Sequence, residues 1–363
     1  MRSAVSWALC ALGGAAAAWA GVPAGWLVGA MVVAVALSLS AGGRMAPDVA
    51  WTRPWPNRFG QTVIALLAVG PVAGSSPGEL LAGLPLALAV TVGSMVVAFG
   101  AATLLRRRAG VDAPTALVAT LPGGASLMLA LARDVGADEK FVVFAQYLRL
   151  LIVALSLPVV VLLLDEPGAT GGGPGTTGTA GNADPGAASA ASAWLGDWSS
   201  WAMIAAAMLL GAVVAKVVPR FPAPFLIPAI LGGAAGAMIW PQLAPDVPRL
   251  AVAVAFVVLG TAAGSGMTTD NLREFRRALP HVLAGVGMLL AATAVCAVLM
   301  WAAGVTGPVD SYLATAPGAS EMVFGFVAER GGAGIVVIMH VVRVIAVAVA
   351  APTVPGLVRR AGW

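Results

Sequence analysis

Charge is what this chain has least of. Lys, Arg, Asp and Glu together make up 10% of its 363 residues, against 60% apolar residues and a mean hydropathy of +0.93, where soluble domains carry about 25% charged residues. A chain so poor in charge cannot clothe a water-facing surface, which excludes a soluble enzyme or a free DNA-binding domain. Cysteine is as scarce. Cys10 and Cys296 are the only two, each inside an apolar run, so neither a disulfide framework nor a thiolate metal site can be built. Histidine also occurs only twice, and there is no HExxH, CxxC or GxxxxGK[ST] pattern. These absences weigh against a metalloenzyme and an ATP-driven pump, and no enzyme activity or cofactor is expected. The spans hold no paired Asp, which weighs against a simple Na+/H+ exchanger.

What is present is length without polarity. Crossing a hydrocarbon core of about 30 Å takes roughly 20 residues of helix. Spans are predicted near residues 4–20, 22–41, 60–77, 84–105 and 139–164, and again near 198–218, 222–241, 249–267, 279–303 and 333–356. Many are rich in Ala and Gly, as suits helices packed closely through small residues. Residues 1–20 have the layout of a signal peptide, with Arg2 before an apolar run and Ala18-Trp19-Ala20 as a cleavage-like site. Their counterpart at 198–218 reads them instead as a retained span. The net charge of +4 could suggest a nucleic-acid binder, but the basic residues sit in short loops beside spans, where membrane orientation explains them.

Residues 165–197 are a Gly, Ala, Ser, Thr and Pro mixture, read as a flexible linker. It divides the chain into membrane repeats 1–164 and 198–363, because the flanking sequence recurs. Pro23, Ala24, Leu27 and Ala30 return as Pro222, Ala223, Leu226 and Ala229; Gly70, Ala73, Gly74 and Ser75 return as Gly260, Ala263, Gly264 and Ser265. Ala119, Thr120, Pro122 and Gly123 return as Ala314, Thr315, Pro317 and Gly318. After one deleted glycine the register carries Ser126 onto Ser320, Arg149 onto Arg343 and Pro158 onto Pro352. The Gly70/Gly74 and Gly260/Gly264 pairs are assigned to close helix packing.

Loop charge gives the copies opposite orientations. The first copy carries Arg2, then Arg44, Arg53 and Arg58 after its second span, then Arg106, Arg107 and Arg108 after its fourth. The matching loops of the second copy hold only Arg249, whereas its 268–278 loop carries Arg273, Arg276 and Arg277 where the first copy has SSPGEL. Under the positive-inside rule the polarity is flipped. An odd number of crossings per copy follows: five spans each, with 113–133 and 311–329 as re-entrant or broken helices and both termini cytoplasmic. The expected fold is an all-α polytopic membrane protein of two inverted repeats.

Three groups of residues could carry function. Pro122, Gly123, Gly124 and Ser126, with Pro317, Gly318 and Ser320, interrupt helices at matching places in the two copies. Irregular backbone at membrane depth is tolerated only where it is buried in protein or lines a cavity, and paired breaks point to a carrier's central site. The positive ends of half-helices there would favour an anion; ordinary loops between spans are the bland alternative. Gln146 with Arg149, and His340 with Arg343, lie three residues apart on one helical face. They could bind a carboxylate or phosphate, or could pair with Glu321 or with the carbonyl end of a broken helix. Glu321, whose counterpart is Leu127, could couple H+ or Na+ movement to transport or merely neutralise Arg343.

PAGWLVGAM, ATLPGGASLM and the Gln146/Arg149 pair together resemble the AbrB duplication of bacterial membrane proteins, a family distinct from the small DNA-binding AbrB proteins and labelled ammonia monooxygenase or regulator of gene expression. The resemblance implies a bacterial cytoplasmic membrane location and an architecture similar to inverted-repeat carriers. The expected function is a secondary transporter of a small anionic solute, with an indirect membrane regulator of gene expression as the alternative. Its expected partners are the bilayer and the solute, with no nucleic acid; self-association into a homo-oligomer is left open.

Overall fold

The computed structural model describes residues 2–40, 54–123, 125–164, 194–219, 221, 223–240, 244–318, 320–330, 332–350, 353 and 356; at 2, 3, 54, 125–127, 129, 130, 321, 329 and 330 only the backbone element is described. The linker residues 165–193, Gly124, and the loop with Arg44 and Arg53 lie outside these, as do Pro222 and Pro352.

Every element among the described residues is helical. In chain order they are α1 (Arg2–Trp19), α2 (Gly25–Leu39), α3 (Pro54–Leu67), α4 (Val69–Ala73), α5 (Pro77–Ala109), α6 (Ala113–Thr120), α7 (Ala125–Val135) and α8 (Glu139–Leu164). Beyond the linker follow α9 (Trp198–Val217), α10 (Ile227–Ile239), α11 (Arg249–Ser265), α12 (Thr269–Glu274), α13 (Leu279–Ala302), α14 (Pro308–Thr315), α15 (Ser320–Arg330) and α16 (Gly334–Ala350). Each of the ten expected spans contains a helix, although the one at 60–77 is interrupted at Ala68. By length and composition, five are able to cross a membrane: α5, α8, α9, α11 continued into α12, and α13. The apolar helices α2, α10 and α16, and the Ala4–Trp19 part of α1, are 10–17 residues long.

The outward faces are those of a protein in lipid. Leu81, Leu88, Val92 and Val96 of α5 and Leu209, Val213 and Val217 of α9 are exposed, a breadth of bare apolar surface that water would not tolerate. Trp19 and Trp198, 89% and 84% exposed, sit at helix ends, where tryptophan marks a membrane interface.

Inside, small residues set the spacing. A Cβ on Gly29 of α2 would fall 2.1 Å from the carbonyl oxygen of Gly13 in α1, so these two backbones touch directly. Gly260 and Gly264 of α11 lie against the Leu27 and Met31 carbonyls of α2 in the same way. Their first-copy counterparts do not, which corrects the expectation for that pair. Nothing lies within 4 Å of a Cβ on Gly70, and Gly74 meets only carbonyls of its own helix. The interruption at Ala68 leaves both glycines exposed, and a small residue brings helices together only if one faces it. The same backbone kink recurs at Ala24 (φ 50) and Ala223 (φ 45), matching positions where an alanine takes a left-handed conformation.

The halves share one interior. Its largest cluster mixes Leu27, Ile64 and Leu157 with Ile230, Phe256 and Phe324. Helix α13 packs along α5, and Phe275, just before α13, stacks on Phe141 and Phe144 at the start of α8 with centroids 5.0 and 5.3 Å apart. Leu105, near the end of α5, belongs to that same cluster. The end of α5 therefore meets the beginning of α13, and the two run antiparallel. Arg106, Arg107, Arg108, Arg273, Arg276 and Arg277 all gather at that end of the bundle.

The segments expected to be re-entrant or broken are both hairpins of two short helices. Asp112 caps α6, accepting from Thr115 N at 3.1 Å. Helix α6 stops at Leu121, which turns to extended backbone (ψ 134) before Pro122; α14 stops likewise at Ala316 (ψ 128) before Pro317. A proline disfavours helical backbone in the residue before it and has no N–H to donate. The two ends of each hairpin meet again. Asp138 N donates to Thr115 Oγ1 at 2.8 Å, and Ala333 N donates to Asp310 Oδ2 at 3.2 Å. Each hairpin thus returns the chain to the level it left. The α6–α7 hairpin starts where α5 ends, at the basic end of the bundle, and the α14–α15 hairpin starts after the far end of α13.

Candidate functional site

The tips of the two hairpins converge on Arg149. Gly318, at the second tip, adopts φ +79, and a Cβ there would lie 3.0 Å from Nη2 and 3.1 Å from Nε of Arg149, on α8 of the first copy. At the first tip a Cβ on Gly123 would lie 3.2 Å from Val347 on α16 of the second copy. Each tip rests on the long helix of the other half.

The exposed carbonyl end of α6 is covered from α8. Gln146 Nε2 donates to the carbonyls of Val118 (3.0 Å), Ala119 (3.4 Å) and Leu121 (3.2 Å). Arg149 Nη1 donates to Leu121 O at 2.9 Å and Nη2 to Gly123 O at 3.2 Å, while Nη2 also bonds the Gln146 side-chain oxygen. The last carbonyls of a helix have no partner within it; in a bilayer interior such groups must be met by protein, and a guanidinium supplies several donors in a fixed fork. The alternative in which the arginine serves the broken helix is thus realised at Arg149.

The second copy repeats the pattern with different residues. His340 Nε2 faces Leu313 O at 2.8 Å, and Leu313 is the counterpart of Val118. A carbonyl only accepts, so Nε2 carries the proton, and the one lone pair of Nδ1 accepts from Arg343 Nη2, with Ser320 Oγ 3.1 Å away. This complementarity assigns the neutral imidazole with the Nε2–H tautomer. Arg343 holds His340 as Arg149 holds Gln146. All four side chains are buried, with His340 wholly so.

Among the described side chains, charge at this junction is one-sided. The two guanidinium groups lie close enough to repel one another, and among the described residues the one ion pair is the exposed Arg133–Glu139 contact. No described His, Cys, Asp or Glu cluster could hold a metal. Of the residues singled out in the sequence, the structure gathers Gly123, Gln146, Arg149, Gly318, Ser320, His340 and Arg343 around the tips; Pro122 and Pro317 are buried in the breaks. Gly124 and the side chains of Ser126 and Glu321 lie outside the described residues, and with them the proposed pairing of Glu321.

One residue escaped the sequence reading. His281, in the first turn of α13, lines a small cavity together with Arg149 and Thr120. The available signal was a histidine inside the predicted span 279–303.

The family model described as transition state regulatory protein AbrB matches residues 26–359. A relative from Bacillus subtilis (strain 168), named "Uncharacterized protein YhjN", is 29% identical over 94% of this chain and 88% of its own length. Another from Escherichia coli (strain K12), named "Putative regulator AbrB", is 24% identical over 92% of this chain and 89% of its own. The matched stretch takes in both hairpins and both arginine pairs, and the chain belongs to the AbrB family.

Proposed function

We propose that this chain is a secondary carrier of a small anionic solute, working by alternating access between two inverted repeats. The observation that carries the reading is the junction of two hairpins, dipping from opposite ends, at buried arginines with no described carboxylate beside them. Broken helices facing each other at mid-depth are how carriers expose polar backbone to a solute, and buried arginines with no carboxylate among the described residues beside them are costly unless an anion visits them. The antiparallel run of α5 and α13, matching elements of the two copies, supports the inversion. So does the collection of basic loops from both halves at one end, which under the positive-inside rule is cytoplasmic. On this reading ten helices cross, the two hairpins do not, both termini are cytoplasmic, and H+ or Na+ is the coupling ion.

The test is flux into proteoliposomes across a panel of small carboxylates. The carrier reading predicts solute-dependent flux that falls about tenfold or more in Arg343→Gln, since a hydrogen bond to a charged group is worth about 1.5–3 kcal/mol. Wild-type protein inert to the whole panel, yet altering transcription in cells, contradicts it. That outcome favours the second reading, an indirect membrane regulator, for which the name of the Escherichia coli relative speaks.

A further inference from the structure

We infer that the cavity between α5, α6, α8 and α13 is an oxyanion subsite, taking the carboxylate head of the solute between Arg149 and His281. The cavity measures about 20 Å3, room for a single water or a carboxylate oxygen. Arg149 and His281 both line it. Arg149 Nε and His281 Nδ1 are buried without a hydrogen-bond partner, although every other hydrogen bond described for Arg149 is spent on the α6 break and Gln146. Two residues of one cavity wall that each hold a buried nitrogen without a partner are a specific demand, because buried polar groups are almost always satisfied. Arginine Nε always carries a proton and can only donate, so its partner must be an acceptor. His281 adds a second donor in the tautomer protonated at Nδ1.

The surroundings fit an anion that arrives from the basic end. The remaining lining is small and apolar, including Ala98, Ala101 and Gly285, which leaves space without offering a competing donor. Thr120 is the other polar side chain on the wall, and its hydroxyl is already committed to Ala116 O and Leu117 O at 3.0 and 3.1 Å. Leu105 and His281 sit next to the two arginine groups, 106–108 and 276–277, whose field concentrates anions at a mouth. Arg149 lies at the inner pole, against the hairpin tips. The subsite depends on the carrier reading for its place on a transport path, whereas the donor pair stands without it.

Because the chain has two histidines, 15N-histidine NMR of the full-length protein in nanodiscs shows two side chains, assigned with His281→Leu. The probe is sodium formate, with sodium chloride as the ionic-strength control. The subsite predicts a saturable shift of the His281 resonance with formate. Its apparent Kd rises about tenfold or more in Arg149→Lys, which keeps the charge and lacks Nε. Ala101→Val, which fills the cavity and leaves both nitrogens, abolishes the response and covers the case in which Arg149→Lys does not fold. A His281 resonance that ignores formate, follows chloride equally, or responds unchanged in Ala101→Val means the space holds water only and overturns the proposal. The two readings fail separately: carboxylate flux with a silent His281 removes the subsite and keeps the carrier, whereas saturable binding without flux keeps the subsite and removes the carrier.

Discussion

Gly318 shows how much one position can carry. Its φ of +79 and the 3.0 Å to Arg149 Nη2 leave no place for a Cβ. A left-handed backbone costs an ordinary residue about 1–2 kcal/mol, and the methyl group would also push the guanidinium off the α6 carbonyls. Gly318→Ala is therefore expected to lower both the thermal midpoint in detergent and carboxylate flux. Gly287→Ala, a site with nothing within 4 Å, leaves both unchanged. Equal behaviour of the two variants would mean that the tips do not press on Arg149. Motif and spacing made Gly318 and Arg149 legible as candidates. That they belong to each other was not legible, because 168 intervening positions separate them and only the folded hairpin closes the distance.

At the scale of the element, hydrogen bonds join the two ends of each hairpin at its base, Asp138 to Thr115 and Ala333 to Asp310. Thr115→Val removes an acceptor from the Asp138 N–H, a loss of about 1 kcal/mol. Faster amide exchange throughout α6 and α7, with α13 unchanged, is the expected result; uniform exchange across the chain would show that the hairpin does not open as a unit. The breaks themselves were readable from the Pro-Gly pairs at matching places in the two copies, although proline alone does not end a helix here, since Pro85 and Pro158 lie inside α5 and α8. So were the positions of the apolar helices, which follow from apolar length, five of them long enough to cross a membrane. What the sequence could not supply was the difference between Gly260/Gly264, pressed on α2, and the equally spaced Gly70/Gly74, pressed on nothing. Glycine spacing states a capacity for close approach, and the neighbour comes from the fold. His281 was missed for a similar reason: its significance lies in an unmet nitrogen on a cavity wall shared with α8, and neither is written in the residues around it.

For the whole molecule, the proposal rests on the opposed entry of the two hairpins. The antiparallel packing of α5 and α13 supports it, and so do the loop arginines, which gather at one end although they come from different halves and different loops. Both lines lead to the same sidedness, so a topology measurement tests them together and, with them, the inverted architecture on which alternating access rests. A reporter active on only one side of the membrane, fused in turn at residue 180 in the linker and at residue 275 before α13, provides it. The account predicts position 180 outside and position 275 in the cytoplasm. Both positions reporting from the same side would contradict it.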